Sequence, residues 1–317
     1  MTKVSIVVLN WNRKKDTLAC LKSLEGLNTK GFRLQVIVVD NGSTDNSVDV
    51  LEGYNASNFD YLLLKNQENL GFTGGINRGL KRALEEKADY VMMLNNDTEV
   101  DPRIIVELLN VAKKHPMAGI FSPKIYFGKG HEFHIERYKK KDLGSVIWFA
   151  GGTMDWDNVV SVHNGVNEID QGQYNKTIEV ENANGACMLI KIEVLNKIGL
   201  LDDDYYLYWE ETDFCQRARI AGFKIFYTPK AKLWHNVSGS STKGGGNLHY
   251  YFIVRNKLLF GFKYAPVRTK IALVKWSVGK LLVGTKWQRI GVRDYYLRKL
   301  GKGSWPPVQR TSGPEGT

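Results

Sequence analysis

Cysteine is scarce in this chain, with three among 317 residues. Cys20, Cys187 and Cys215 are odd in number and far apart, so they form neither a disulfide framework nor a metal-ligand spacing, and a reducing compartment suits them. Long hydrophobic runs are missing too. The first apolar stretch opens at Val4 and meets Asn10, too short for the apolar region of a secretory leader. No stretch approaches the roughly 18 uncharged apolar residues of a membrane span, so a cytoplasmic protein is expected. Acidic residues are scarce in one region only. From Phe262 to Thr317, 12 Lys/Arg face 2 Asp/Glu, so the formal net charge of +11 sits almost wholly in a C-terminal tail. Such a tail calls for a negatively charged partner, anionic lipid or nucleic acid. No recognised nucleic-acid motif accompanies it, and no nucleic-acid partner is expected. No internal repeat is found. The remaining composition, 43% hydrophobic and 24% charged, is ordinary for a globular protein.

What is present is an alternation of strand and helix. Val4–Leu9 (VSIVVL) and Leu34–Asp40 (LQVIVVD) are β-branched runs of the kind buried on both faces of a sheet. Tyr61–Leu64 and Tyr90–Leu94 are shorter candidates, with helical segments at Lys14–Leu27, Ser47–Tyr54 and Gly75–Lys87. This order predicts a parallel sheet wound by right-handed crossovers. Ligands of such sheets lie beyond the carboxyl ends of the strands. Asn10-Trp11-Asn12, Asp40-Asn41-Gly42 and Asn95-Asn96-Asp97 fall at three of those ends. Each alone is a turn or cap signal; three on one rim point to a site. Further along, Tyr126–Lys141 reads as a surface insertion and Gly185–Ile192 as a strand. Val194–Ile198 and Glu211–Ala221 read as helices, and Phe223–Thr228 as a last strand turned by Pro229.

Asp97 at a strand end is a hard oxygen ligand of the type that holds Mg2+ or Mn2+ against a diphosphate. Asp202-Asp203-Asp204 reads as helix capping. Glu210-Glu211-Thr212-Asp213 opens a helix among Tyr205, Tyr206, Tyr208 and Trp209. A carboxylate flanked by aromatics is partly desolvated, and its pKa can rise toward that of a general base. The same rings suit the apolar face of a sugar. His235 stands alone in a Trp-His-Asn segment, and His131 and His134 read as surface residues.

Taken in order, these segments resemble the family-2 glycosyltransferases of the GT-A fold, and within them the rhamnosyltransferase-like branch. The matching strings are SIVVLNWN (Ser5–Asn12), VIVVDNGSTD (Val36–Asp45), NLGFTGGINRG (Asn69–Gly79) and LNNDTEVD (Leu94–Asp101). WFAGG (Trp148–Gly152), NGACMLI (Asn184–Ile190), LYWEETDFCQRARIAGFKI (Leu207–Ile225), YTPKAKLWH (Tyr227–His235) and the Arg255-Asn256 pair follow. The resemblance implies an α/β fold with a Rossmann-like, mostly parallel central sheet flanked by helices, and a C-terminal helical extension. It divides the chain into a catalytic domain over 1–262 and a basic extension over 263–317 with a disordered end from Gly301. Within the catalytic domain, 1–120 is the nucleotide-binding half and 121–262 the acceptor half.

The resemblance also implies roles. Asn10, Asn12 and Asp40 contact the base and ribose of a nucleotide-diphosphate sugar; Asn69, Gly71 and Asn77 belong to the loop and helix that close over it. Asn96 is placed with the same donor. Asp97 and His235 hold a divalent metal, Mg2+ or Mn2+. Glu211 sits at the family's catalytic carboxylate, with Asp213 as its neighbour, and Trp148, Gly185, Trp209 and Glu210 lie on the acceptor side. Two departures stand out: the metal triplet reads Asn-Asn-Asp, and the base is Glu in place of Asp. The implied reaction is an inverting transfer to a hydroxyl of a polysaccharide or lipid-linked glycan, with dTDP-L-rhamnose favoured as donor and UDP-sugars as the alternative. A non-catalytic nucleotide-sugar-binding scaffold is the rival reading. In the tail, Arg268–Ile290 reads as a basic helix carrying Arg268, Lys275, Lys286, Arg289 and Arg293 on one stripe. Such a helix, in 263–300, can lie on the anionic inner face of a cell membrane.

Overall fold

β1 (Thr2–Asn10) leads through α1 (Lys14–Glu25) to β2 (Phe32–Asp40). α2 (Ser47–Glu52), β3 (Asp60–Lys65), α3 (Gly71–Glu85) and β4 (Tyr90–Asn95) continue the alternation. β1 pairs in parallel with both β2 and β4, and β2 with β3. The β-branched runs feed two cores because successive side chains leave opposite faces of a strand. Val4, Ile6, Val8, Val36 and Val38 pack with Leu21 and Leu24 of α1. Val7, Ile37 and Val39 pack on the other side with Ile76 and Leu80 of α3. The computed structural model describes residues 1–236 and 246–306.

Beyond β4 the sheet becomes mixed. β5 (Thr98–Val100), α4 (Ile104–Lys114) and β6 (Ala118–Phe127) come first; β7 (Ile147–Phe149), β8 (Gly152–Asp155), β9 (Val160–His163) and β10 (Ile178–Val180) follow. Next are β11 (Cys187–Lys191), α5 (Ile192–Ile198), α6 (Glu210–Ile220) and β12 (Lys224–His235). α7 (Asn247–Tyr264), α8 (Val267–Val283) and α9 (Lys286–Tyr296) complete the described chain. The strand order is β10-β12-β6-β11-β4-β1-β2-β3, with β5 on β12 and β7 on β6. β11 lies antiparallel between β4 and β6, whereas β12 runs parallel to β6. β8 and β9 form a separate hairpin. α7 to α9 build a third core with Met154, Val159, Tyr205 and Trp209.

Several sequence expectations change here. All ten residues of β6 are buried, although Ser122, Pro123 and Lys124 interrupt its apolar run. Lys124 is tolerated because its ammonium donates to Asp170 at 2.8 Å and to Asn175 at 2.8 Å. The segment read as a surface insertion therefore begins inside this strand. β12 does not turn at Pro229; a bulge between Thr228 and Lys232 absorbs the proline and the strand continues to His235. The single basic helix expected over Arg268–Ile290 is two, separated at Gly284–Thr285, where Thr285 caps α9 and forms a capping box with Gln288. Gly301–Pro306, expected as disordered end, folds back onto α7 and α9: Ser304 N–H donates to Asp294 at 2.9 Å and Trp305 packs against Trp287. The rest of that expected end, 307–317, lies outside the described residues. The boundaries at 120/121 and 262/263 fall inside β6 and α7, and one sheet runs through both halves.

The glycine run of α3 is explained by close packing of the helix on the sheet. A Cβ on Gly75 would come 2.4 Å from Leu9 Cδ1, and one on Gly79 would come 2.3 Å from Val7 Cγ1. Gly79→Ala is expected to cost about 1–3 kcal/mol by overpacking. Gly279→Ala, inside α8 with nothing within 4 Å, is expected to add about 0.5–1 kcal/mol. Urea unfolding midpoints of the two variants check the opposite signs.

Candidate active site

Register places the polar strand ends side by side, since Asn10 pairs with Asp40 and Leu9 with Asn95. Asn10 Nδ2 donates to Asp40 Oδ2 at 2.7 Å and to Ser43 Oγ at 3.1 Å. The Ser43 N–H closes a turn onto Asp40 Oδ1 at 2.9 Å. Asn12 N–H donates to Ser43 Oγ at 2.9 Å, and Asn12 Oδ1 accepts from Thr44 N–H at 2.7 Å. Thr17 Oγ1 bridges this cluster to the next strand end: it donates to Asn10 Oδ1 at 2.7 Å and accepts from Asn96 Nδ2 at 2.9 Å. Asn10, Asn12, Asp40 and Asn96 thus belong to one hydrogen-bonded rim. Asp40 is fully buried beneath it, and its two carboxylate oxygens are met by Asn10 Nδ2 from β1 and by the Ser43 N–H of its own loop.

Asn69 and Gly71 sit on the neighbouring loop. Asn41 Nδ2 donates to Asn69 Oδ1 at 3.0 Å and to the Gly71 carbonyl at 2.9 Å. Gly71 has φ +78°, and a Cβ there would lie 2.5 Å from the Tyr206 ring, so both backbone and space require glycine. Asn77 stands apart from the rim. Its Nδ2 donates to the Leu201 carbonyl at 2.9 Å and to Asp203 Oδ1 at 2.8 Å, and its Oδ1 accepts from Leu201 N–H at 3.0 Å. Those bonds tie α3 to the 201–203 loop and leave Asn77 no contact with the Asp40 network.

Asp97 and His235 meet across the β4–β5 turn and the end of β12, with His235 Nε2 and Asp97 Oδ1 2.8 Å apart. Trp148 on β7 flanks them, its ring 4.4 Å from the imidazole. His235 is buried and its Nδ1 has no hydrogen-bond partner. The tautomer that donates Nε2–H to Asp97 therefore leaves a buried lone pair unmet. Asp97 Oδ1 and His235 Nε2, an oxygen and a nitrogen donor 2.8 Å apart, fit a divalent cation taking the place of the proton between them, provided a ligand's phosphates complete the shell. No group of three or more His, Cys, Asp or Glu side chains suited to a metal occurs among the described residues.

The four residues that open α6 separate by what surrounds them. Asp213, expected beside the base, is fully buried in a cationic and phenolic cage. Arg217 Nε donates to its Oδ2 at 2.6 Å, and Lys263, Tyr264 and Tyr205 donate to its Oδ1 at 2.8, 2.8 and 3.2 Å. Burial works against its charge, but Lys263 and Arg217 outweigh it and hold the carboxyl below its ordinary range. A carboxylate so paired and closed off is no proton acceptor for a substrate. Glu210 is buried with Oε2 lacking any partner. Burial, followed by the neighbouring Glu211 charge, pushes its pKa well above normal. Glu211 is half-buried and its pKa is also raised by burial. Gly185 leaves it room, for a Cβ there would stand 3.4 Å from Glu211 Cγ. Gly185 adjoins the Asp40 rim through the Asn95 N–H bond to the Ala186 carbonyl, 2.9 Å. Glu211 is accordingly packed against the Gly185–Ala186 backbone that bonds the end of β4, and of the two α6 carboxyls with raised pKa it is the one not enclosed.

Trp209, expected at the acceptor side, turns inward: its ring lies 5.0 Å from Phe260 in the α7 core. The backbone before α6 is strained, with Tyr206, Tyr208 and Trp209 at φ +63°, +66° and +76°. Positive φ is unfavourable for such bulky residues and is held only by surrounding structure. The holding groups are Arg255 and Asn256, both fully buried in α7. Asn256 Nδ2 lies within 2.9 Å of the Tyr205 carbonyl and 2.8 Å of those of Leu207 and Tyr208. Arg255 NH2 donates to the Asp204 and Tyr205 carbonyls at 3.0 and 2.8 Å, and its NH1 donates to Gly301 O. Ser43 and Thr17 were not singled out by sequence reasoning. Ser43 lies within the DNGSTD string, which was its one signal.

A model described as glycosyl transferase family 2 matches residues 5–199. A low-salt glycan biosynthesis hexosyltransferase of Haloferax volcanii is 25% identical over 257 residues, covering 81% of this chain and 74% of that one. An N-acetylglucosaminyl-diphospho-decaprenol L-rhamnosyltransferase of Mycobacterium tuberculosis is 24% identical over 217 residues, covering 66% of this chain and 68% of its own length. Among solved structures, a mannosyltransferase of Pyrobaculum calidifontis in complex with GDP-Man and Mn2+ superposes with a TM-score of 0.54 at 14% identity, over 93% of this chain and 74% of that one. At that identity the likeness is one of fold, and the fold is GT-A.

Two measurements probe the site's support. Asn256→Leu keeps the volume but strips the donor from three carbonyls; a loss of about 1–3 kcal/mol is expected, and unchanged urea unfolding would discount the clamp. Glu210 binds its proton more tightly folded than unfolded, so wild type loses stability as pH rises above the ordinary glutamate value. Glu210→Gln lacks that loss. Its thermal midpoint should exceed wild type by roughly 2–4 °C at pH 8, the shift that about 1 kcal/mol produces in a domain near this size, and match it at pH 4.

Proposed function

We propose, since the chain belongs to glycosyl transferase family 2, that it carries out an inverting, metal-assisted transfer of a hexosyl group from a nucleoside-diphosphate sugar to a hydroxyl of a glycan or glycolipid. The observation that carries this reading is the pairing of one rim with one carboxyl. The Asn10–Asp40–Ser43 network offers fixed polar groups to a nucleotide at the strand ends, and Glu211, packed on the Gly185–Ala186 backbone that bonds the end of β4, has a pKa raised by burial. Relatives support the same direction: solved neighbours hold UDP or GDP-Man with Mn2+. An L-rhamnosyl donor is favoured through the likeness to the L-rhamnosyltransferase, with a UDP-sugar as the alternative.

Glu211 receives the proton of the acceptor hydroxyl as its oxygen attacks the anomeric carbon opposite the leaving diphosphate, which inverts that carbon. Its raised pKa makes it a stronger base than an ordinary glutamate while still ionised above that value. Asp97 and His235 would hold a divalent cation, which when bound offsets the negative charge gathering on the leaving diphosphate. Trp148, its ring tilted against His235 at 4.4 Å, flanks that side of the site.

The test is release of nucleoside diphosphate from a panel of dTDP-L-rhamnose and UDP-sugars, with a lipid-linked glycan as acceptor and Mn2+ or Mg2+ supplied. Glu211→Gln is expected to lower kcat by about 10²–10⁴-fold while leaving donor binding within a few-fold. In wild type, kcat should fall as pH drops through the raised Glu211 pKa. Full turnover by Glu211→Gln, or by Asp97→Asn in EDTA, would overturn the assignments.

A further inference from the structure

α8 shows an arrangement that neither the donor site nor the fold requires. Its inner side is settled: Thr269, Leu273 and Ser277 are buried. Trp276 is held on that side between the ammonium groups of Lys257 and Lys280, 4.8 and 5.6 Å from its ring. The outer side should then be polar in a helix that ends at water. Instead Val267, Ile271, Val274, Val278, Leu281 and Leu282 are exposed, Ile271 at 56% and Leu282 at 73%. At about 100° per residue these six fall within one arc of roughly 100° that runs the length of the helix. Lys270 borders the arc on one side, and Lys275 and Arg268 border it on the other. No Asp or Glu occurs from Ala265 to Arg293, a stretch that holds seven Lys/Arg.

A contiguous exposed apolar stripe marks a contact surface, and its borders say with what. A second copy of this chain would bring the bordering lysines toward the same lysines, with no acid on the helix to receive them. An anionic lipid surface answers both parts, since its acyl boundary takes the stripe and its phosphates take the lysines. No described helix is long and apolar enough to cross a membrane, which leaves α8 lying in the surface plane. We propose that α8 is a membrane-surface helix that seats the Val267–Leu282 stripe in the headgroup boundary of an anionic bilayer. The stripe differs from the basic one expected from sequence: Lys286, Arg289 and Arg293 belong to α9, and on α8 the outward arc is apolar with cations along its borders.

Flotation of the full chain with phosphatidylglycerol–phosphatidylcholine vesicles tests this without donor or acceptor, so it stands or falls separately from the transfer reaction. Wild type should float with the mixed vesicles and remain behind with phosphatidylcholine alone. Lys270→Glu with Lys275→Glu should lower partitioning by roughly tenfold or more. Ile271→Asp with Val278→Asp should lower it as far, with unchanged circular dichroism because both positions are exposed; Leu282→Asp, in the last turn, serves as the independent second variant. Equal flotation of the apolar variants and wild type would overturn the proposal. So would absence of flotation together with a concentration-dependent dimer that Ile271→Asp dissolves, or salt-sensitive binding to duplex DNA in place of vesicles.

Discussion

The position of the Glu211 carboxyl, the proposed base, depends on a buried cation that hydrogen-bonds no carboxylate among the described residues. Arg255 is fully enclosed, and burial works against its charge. Its donors reach carbonyls on the 204–205 loop and at Gly301, and its plane lies 4.9 and 5.5 Å from the rings of Phe252 and Tyr251. Carbonyl dipoles and ring faces together replace the water it lost. The arrangement costs free energy to build, and what it secures is a loop that cannot hold itself. Three aromatic residues at positive φ immediately precede α6, and Glu210 and Glu211 are the first residues of that helix. Were the carbonyls released, the loop would relax toward ordinary backbone angles and α6 would begin elsewhere. The C-terminal helices in this sense position the residues that open α6.

The parallel half of the fold was legible because its signals are local. Runs such as VSIVVL and LQVIVVD announce strands, and polar residues at their ends converge once the strands are parallel. The Asn10–Asp40 pairing needed only register, which two neighbouring parallel strands supply. What sequence could not give was any feature decided by a distant partner. β6 was hidden because Lys124 breaks its apolar run, and the reason it can be there, Asp170, is 46 residues away. β12 was cut short at Pro229 because a bulge is a property of the strand beside it. The Arg255-Asn256 pair was visible as two letters, yet its acceptors are backbone carbonyls, which every residue carries and no pattern distinguishes.

Glu210, Glu211 and Asp213 make the same point in charge. By composition they are one acidic patch at a helix start, all favoured by the macrodipole. Helical spacing then points them apart, and each meets a different environment. Asp213 turns to α7, where Lys263 and Tyr264 wait with Arg217 to fix it as an anion. Glu210 enters a space with no donor for its outer oxygen, and its burial favours the proton. Glu211 is left between the two, desolvated enough to be basic and open enough to exchange. Its neighbours set that balance: burial and the Glu211 charge favour the proton on Glu210, and the charge of Asp213 is offset by Lys263 and Arg217. A proton-accepting carboxyl in this fold is thus the residue to which the surrounding structure has given neither a proton nor a counter-ion.

Lys263 links this balance to the basic tail. It is the first cation of the region that carries nearly all of the net charge, and it is committed inward, to Asp213 at 2.8 Å and Asp202 at 3.2 Å. Four residues later α8 begins, and its bordering cations point to solvent beside an exposed apolar stripe. In α9, Asp294 accepts from Tyr251 and Ser304 within the core and pairs with Arg293 at 3.2 Å, while Arg289 donates to the Gly284 carbonyl at 2.9 Å. The excess charge therefore does not arise from extra cations in the ion pairs that secure the catalytic loop, which are balanced. It arises on the outer surface of α8, where Arg268 and Lys275 are exposed beside the apolar stripe and no Asp or Glu lies between Ala265 and Arg293.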